Sequence, residues 1–131
     1  MKNTIFRLLE YSYYFSLLIL FVLYLFPGSL IGYLLNGNLG QQPDLISNPI
    51  GTSINHLIFF FYLTALGLVV RLKYQNFLNS FTFLISLSIF LESAHWLIPN
   101  RAFEYYDLFA NSIGVLIAYL LINIFLKLKI K

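Results

Sequence analysis

The stretch from Tyr106 to Leu126, YDLFANSIGVLIAYLLINIFL, carries one charged residue, Asp107, near its start and no other charge before Lys127 closes it. A helix of that length is about 30 Å long, which is the thickness of a bilayer's hydrocarbon core. Three more windows read the same way. They run from about Leu8 to Phe26 (closed by Pro27-Gly28), Ile54 to Val70 (closed by Arg71) and Phe77 to Ile98 (closed by Pro99). None alternates as a strand would, and a backbone in lipid must satisfy its own hydrogen bonds, which a helix does within one segment. The expected fold is all-α: a single-domain polytopic membrane bundle of four transmembrane helices, with a loop at 27–53 between the first two.

Composition agrees. Of 131 residues, 60% are apolar and 10% charged, against about 45–50% and 25% in soluble domains. The absence of cysteine excludes disulfide scaffolds, zinc ribbons, iron–sulfur sites and thiol catalysis. The net charge of +3 rests on eight scattered basic residues, so there is no basic face for nucleic acid.

The basic residues also set the orientation. Lys2 and Arg7 precede the first window, Arg71 and Lys73 follow the second, and Lys127, Lys129 and Lys131 end the chain, whereas loop 27–53 has no Lys or Arg. Only Arg101 falls on the other side. By the positive-inside rule both termini are expected to be cytoplasmic, with loops 27–53 and 99–105 outside. The first window is read as an uncleaved helix, because Phe26-Pro27-Gly28-Ser29 lacks the small-x-small pattern of a signal-peptide site.

Loop 27–53 is expected to act as a connector, since Asp44 is its one ionisable residue, with Ser29–Leu35 apolar enough to lie on the membrane or extend the first helix. Tyr11, Tyr13 and Tyr14 at one boundary, and Trp96, Tyr105 and Tyr106 at the other, fit interfacial aromatic belts.

Ionisable groups inside spans are costly, and where present they usually face the bundle interior and mark function. Here the alternating helix directions bring His56, Glu92, His95, Arg101, Asp107 and Asn111 to one level near the outer boundary. Helical spacing places Ser88, Glu92, His95 and Pro99 on one stripe, Asp107, Asn111, Gly114 and Ala118 on another, and His56, Phe60, Thr64 and Gly67 on a third. Stripes of small and polar residues let helices approach closely in lipid. Helix packing accounts for Gly114, Ala118, Thr64, Gly67 and Ser88, and Asp107 complements its helix dipole.

For Glu92, His95 and Arg101 three readings stand. Glu92 and Arg101 form a structural bridge across the mouth of the bundle. Alternatively, Glu92-x-x-His95 with a histidine on another helix is part of a metal shell. The di-iron pattern needs two such motifs and the chain has one, so no metal or cofactor is expected. In the third reading Arg101 holds an anionic head group and His56 or His95 acts as acid or base. A proton or ion pathway is the weaker reading, because the inner halves of the helices carry no ionisable residue between this cluster and Arg71.

Glu92-Ser93-Ala94-His95-Trp96-Leu97-Ile98-Pro99-Asn100-Arg101, followed by Asp107-x-x-x-Asn111-x-x-Gly114, resembles the signature of the VanZ-like membrane proteins. That signature is Glu-x-x-Gln, a Pro-Gly-Arg turn, then Asp-x-x-x-Asn-x-x-Gly. His56 is placed like the histidine of the family's Asp-Lys-x-x-His start, and the resemblance covers roughly residues 54–120. Three positions depart: His95 stands for Gln, Asn100 for Gly, and Thr52-Ser53 for Asp-Lys. The resemblance implies a multi-pass protein of the bacterial cytoplasmic membrane and cell envelope, in a family named for a protein associated with resistance to the glycopeptide teicoplanin. It supplies no reaction. The expected function is engagement of a membrane lipid or lipid-linked envelope precursor in an outward pocket. The alternative is a non-catalytic accessory or assembly protein whose polar cluster is structural.

Overall fold

The computed structural model of the chain describes residues 2–43 and 51–129. Its elements are α1 (Lys2–Leu25), α2 (Leu30–Asn36), α3 (Ser53–Arg71), a 3-10 turn (Phe77–Asn79), α4 (Phe81–Ala94) and α5 (Tyr105–Lys129). Among the described residues there is no strand. Three helices among the described residues are long and apolar enough to cross a membrane: Asn3–Leu25, Ser53–Arg71 and Tyr105–Leu128.

The third window differs from its reading as one continuous helix over 77–98. Ser80 is extended, and its hydroxyl accepts the Phe83 amide, so α4 starts only at Phe81. At the other end the amides of His95, Trp96 and Leu97 bond three residues back, to Glu92, Ser93 and Ala94. These tighter turns lead into Pro99, which disfavours helix in the residue before it. The remaining 14-residue helix is about 21 Å long, short of a hydrocarbon core.

Loop 27–53 also holds more structure than a connector. Gly28 at φ +84° breaks the chain away from α1, a conformation glycine adopts without steric cost. Ser29 then caps a separate helix, α2, through its hydroxyl on the Gly32 amide. The chain after α2 returns over its start, with the Ser29 amide on the Leu39 carbonyl at 2.7 Å. Asp44 lies outside the described residues.

The core runs along the bundle axis. Tyr13, Leu17, Leu20 and Tyr24 of α1, at spacings of four, three and four, meet Phe60, Leu63 and Val70 of α3, Leu84, Leu87 and Leu91 of α4, and Val115 of α5. On the opposite face of α1, Leu8, Tyr11, Phe15, Leu18, Val22 and Leu25 are exposed. Helices apolar on both faces belong in lipid or in a large core. The tightest approach is α3 against α5, where a Cβ on Gly114 would stand 2.5 Å from the Leu57 carbonyl oxygen. The aromatic belt needs one correction: Tyr13 is fully buried, bonded to the Leu78 carbonyl, while Tyr11, Trp96, Tyr105 and Tyr106 are exposed.

The two ends of the bundle differ. At one, Lys73 bonds Asn3 and lies over the Phe6 ring. Arg71 there donates to the Asn76 carbonyl and to Asn79 Oδ1. At the other end Arg101 lies against the last turn of α1. The N-terminal segment and the α3–α4 connection therefore share one end, and loop 99–105 occupies the opposite one.

Candidate functional site

The stripes identified by spacing face inward, except that Pro99, at the end of the stripe on α4, is exposed. His56, Phe60, Thr64 and Gly67 of α3, Ser88 and Glu92 of α4, His95 just beyond it, and Asp107, Asn111, Gly114 and Ala118 of α5 are all buried. At the Arg101 end they form a connected polar cluster.

Glu92, with no solvent exposure, is its centre. Its Oε1 accepts the Glu104 amide at 3.2 Å and lies 3.2 Å from His95 Nδ1. Its Oε2 accepts Asn111 Nδ2 at 3.5 Å and stands 3.9 Å from His56 Nδ1. Asp107 opens α5, where a carboxylate complements the helix dipole. Its Oδ1 accepts the Ser53 hydroxyl at 2.5 Å, and its Oδ2 is 3.4 Å from His56 Nε2. His56, Glu92 and Asp107 each bring one donor atom within 4.8 Å of the others, and all three are buried.

Arg101 is placed by a turn. Its amide bonds the Ile98 carbonyl, with Pro99 and Asn100 between, and Asn100 has φ +58°. Proline followed by a positive-φ residue is the pattern of a type II turn, in which Gly or Asn fits the third position. The exchange of Gly for Asn thus keeps the turn. The guanidinium donates to the carbonyls of Leu23 at 2.5 Å and Phe26 at 3.4 Å, and to Gln42 Oε1 at 3.3 Å. The Glu92–Arg101 bridge is therefore not formed: among the described residues the acceptors are the free carbonyls that end α1 and a loop amide. Burial pulls the guanidinium below its ordinary pKa, while Tyr24, Glu92 and Asp107 oppose that pull. Nearby, burial and the fields of Asp107 and Glu92 push the Glu104 carboxyl above the usual range, with His95 opposing.

Three members were not anticipated. Tyr24 bonds His56 Nδ1 at 2.6 Å and donates to Asn111 Oδ1 at 2.7 Å, and its ring stacks on His95 at 5.4 Å between centroids. Gln42 Nε2 is 3.1 Å from His56 Nε2, so the loop read as a connector reaches the cluster. Ser53 holds Asp107 from a position where the family carries Lys. Spacings of four, three and four put Tyr24 on one face of α1 with Tyr13, Leu17 and Leu20, a signal that it points inward but not of its partners. Gln42 and Ser53 had none.

Two chambers adjoin the cluster and share Ser29, Gln42, His95 and Arg101. One, of about 90 Å³, has apolar walls including Leu20, Leu23, Leu30, Ile31 and Phe59, with Tyr24 and His56 also facing it. The other, of about 470 Å³, is lined by polar groups including Thr52, Asn100, Glu104 and Asp107.

No curated protein and no solved structure matches the chain. The family model described as VanZ/LLP1 matches residues 12–126, which takes in Tyr24 and the part of α1 from Ser12 onward as well as the signature, and the chain accordingly belongs to the VanZ/LLP1 family.

Proposed function

We propose that this family member crosses the bacterial cytoplasmic membrane four times with both termini inside, and that its outward cluster binds the polar head of an anionic or lipid-linked envelope component. α4, with its flanking turns, makes the third crossing beside longer neighbours. The observation that carries this reading is the pair of chambers meeting at Gln42, His95 and Arg101. An apolar compartment joined to a polar one through a cation suits a molecule with a chain and a charged head. His95 Nε2, buried and without a partner among the described residues, is available to it. A role in glycopeptide resistance would follow from altered handling of such a component.

The test is native mass spectrometry of detergent-purified protein with phosphatidylglycerol against phosphatidylcholine. Wild type is expected to retain the anionic lipid, and Arg101→Ala and Glu92→Gln to lose that preference. Binding as tight as wild type by both variants, each with its helix content intact, would overturn the reading.

The accessory reading, in which the cluster only locks the helices, draws support from the use of Arg101 on α1 carbonyls. It expects the same variants to lower thermal stability with lipid preference unchanged.

A further inference from the structure

The ring nitrogens of His56 have distinct roles, fixed from both ends of a hydrogen-bond chain. Arg101 can only donate, so the Gln42 atom it faces is Oε1, and the atom facing His56 Nε2 is the amide nitrogen, a donor. At the other end the Ser88 carbonyl can only accept, so Asn111 turns Nδ2 toward it and Oδ1 toward Tyr24. The Tyr24 hydroxyl hydrogen goes to that Oδ1, and its oxygen accepts from His56 Nδ1–H. His56 is therefore neutral, with its proton on Nδ1 and a lone pair on Nε2.

That lone pair lies 3.4 Å from Asp107 Oδ2, another acceptor, with no proton assigned between them. Ligands on a tetrahedral ion at about 2.0–2.2 Å stand roughly 3.3–3.6 Å apart. A metal-ligating imidazole characteristically donates its other N–H to a neighbour that fixes the tautomer, as Tyr24 does here. Glu92 supplies the second carboxylate, held by the Glu104 amide, Asn111 and His95. His95, 3% exposed, lines the polar chamber beside Asp107, and its Nε2 has no partner among the described residues.

From these relations we infer that His56, Glu92 and Asp107 form a site for one divalent first-row cation of the Zn²⁺ or Mn²⁺ class. One imidazole and two carboxylates suit such ions better than the all-oxygen set of Ca²⁺. Two buried carboxylates balance a 2+ charge, and the nearest arginine donates to other groups. The Gln42 amide covers Nε2 and gives way when the ion binds. Asp107 Oδ2 already stands 3.4 Å from Nε2, whereas the Glu92 Oε2 contact is to the other ring nitrogen, 3.9 Å from Nδ1, so bringing the three groups onto one ion takes a movement of the Glu92 carboxylate toward Nε2. Three protein ligands leave a tetrahedral ion one further position, open to water or a head-group oxygen. The set is not the Glu-x-x-His pair suggested by spacing: His95 supports Glu92, and the imidazole ligand comes from α3. The cation site stands whether or not a lipid binds.

Chelator-stripped, tag-free protein in detergent, titrated with Zn²⁺ by calorimetry, is expected to take up one ion per chain. Asp107→Asn and Glu92→Gln should each weaken binding at least tenfold. The chain has two histidines, so [¹⁵N]histidine labelling of wild type should show one imidazole perturbed at Nε2 by Zn²⁺, and His95→Gln should retain that signal. No saturable uptake by wild type, no shifted imidazole, or folded variants that bind as tightly would each overturn the site and leave a proton or water between His56 and Asp107. If the variants do not fold, the wild-type stoichiometry and imidazole shift decide.

Discussion

The Tyr24 hydroxyl, on the last turns of α1, donates to Asn111 Oδ1 on α5 at 2.7 Å. The same oxygen receives His56 on α3, so one phenol ties three helices at a single level.

Tyr24→Phe removes that oxygen and leaves a buried acceptor and a buried imidazole N–H without partners. Each unsatisfied group costs about 1–3 kcal/mol, so the melting temperature in detergent should fall by several degrees. The His56 proton should also redistribute between its two nitrogens, which imidazole ¹⁵N shifts would report. An unchanged melting temperature and spectrum would refute the relay.

At the Arg101 turn the backbone makes the demand. Asn100→Gly should be neutral within about 0.5 kcal/mol, because glycine adopts positive φ freely. Asn100→Val should cost about 1–3 kcal/mol, since a β-branched residue is strained there. Equal thermal stability of the two variants would show that the turn does not hold the φ of +58°.

Gly114→Ala tests the α3–α5 approach. The added Cβ would fall 2.5 Å from the Leu57 carbonyl oxygen and 3.0 Å from the Phe61 amide nitrogen, both backbone atoms that cannot rotate aside. The helices must separate, at about 1–3 kcal/mol for overpacking. Thermal unfolding in detergent measures the loss, and Ala118→Gly serves as a control that opens space instead.

Asn79, fully buried at the opposite end, joins Arg71, the Tyr74 carbonyl and the Asn76 amide. Asn79→Ala strands several of these groups and should lower stability by about 1–3 kcal/mol, while leaving metal and lipid binding to the distant cluster intact. Loss of either binding without loss of fold would contradict that separation.

The four-crossing topology is open to direct mapping, because the chain has no cysteine. Single cysteines at Gln41 and Ala102 should react with an impermeant maleimide added to intact cells. Cysteines at Gln75 and Lys127 should react only after permeabilisation. Labelling of Gln75→Cys and Ala102→Cys from the same side would mean that α4 does not cross.

Helical period is local, and the sequence alone settled whatever depends on it. The apolar windows, the inward stripes and the shared level of His56, Glu92, His95, Asp107 and Asn111 all follow from positions three and four apart on helices of alternating direction. Cross-helix partners depend instead on how each helix is rotated and staggered against its neighbours. Only the tertiary structure therefore brought Tyr24, Gln42 and Ser53 into the cluster, and turned Arg101 toward the carbonyls of α1 rather than toward Glu92. The shortening of the third window falls between these cases. Ser80 and Pro99 were visible as a cap and a breaker, but an unbroken apolar run outweighed them in a reading by hydropathy, which has no term for a single backbone hydrogen bond.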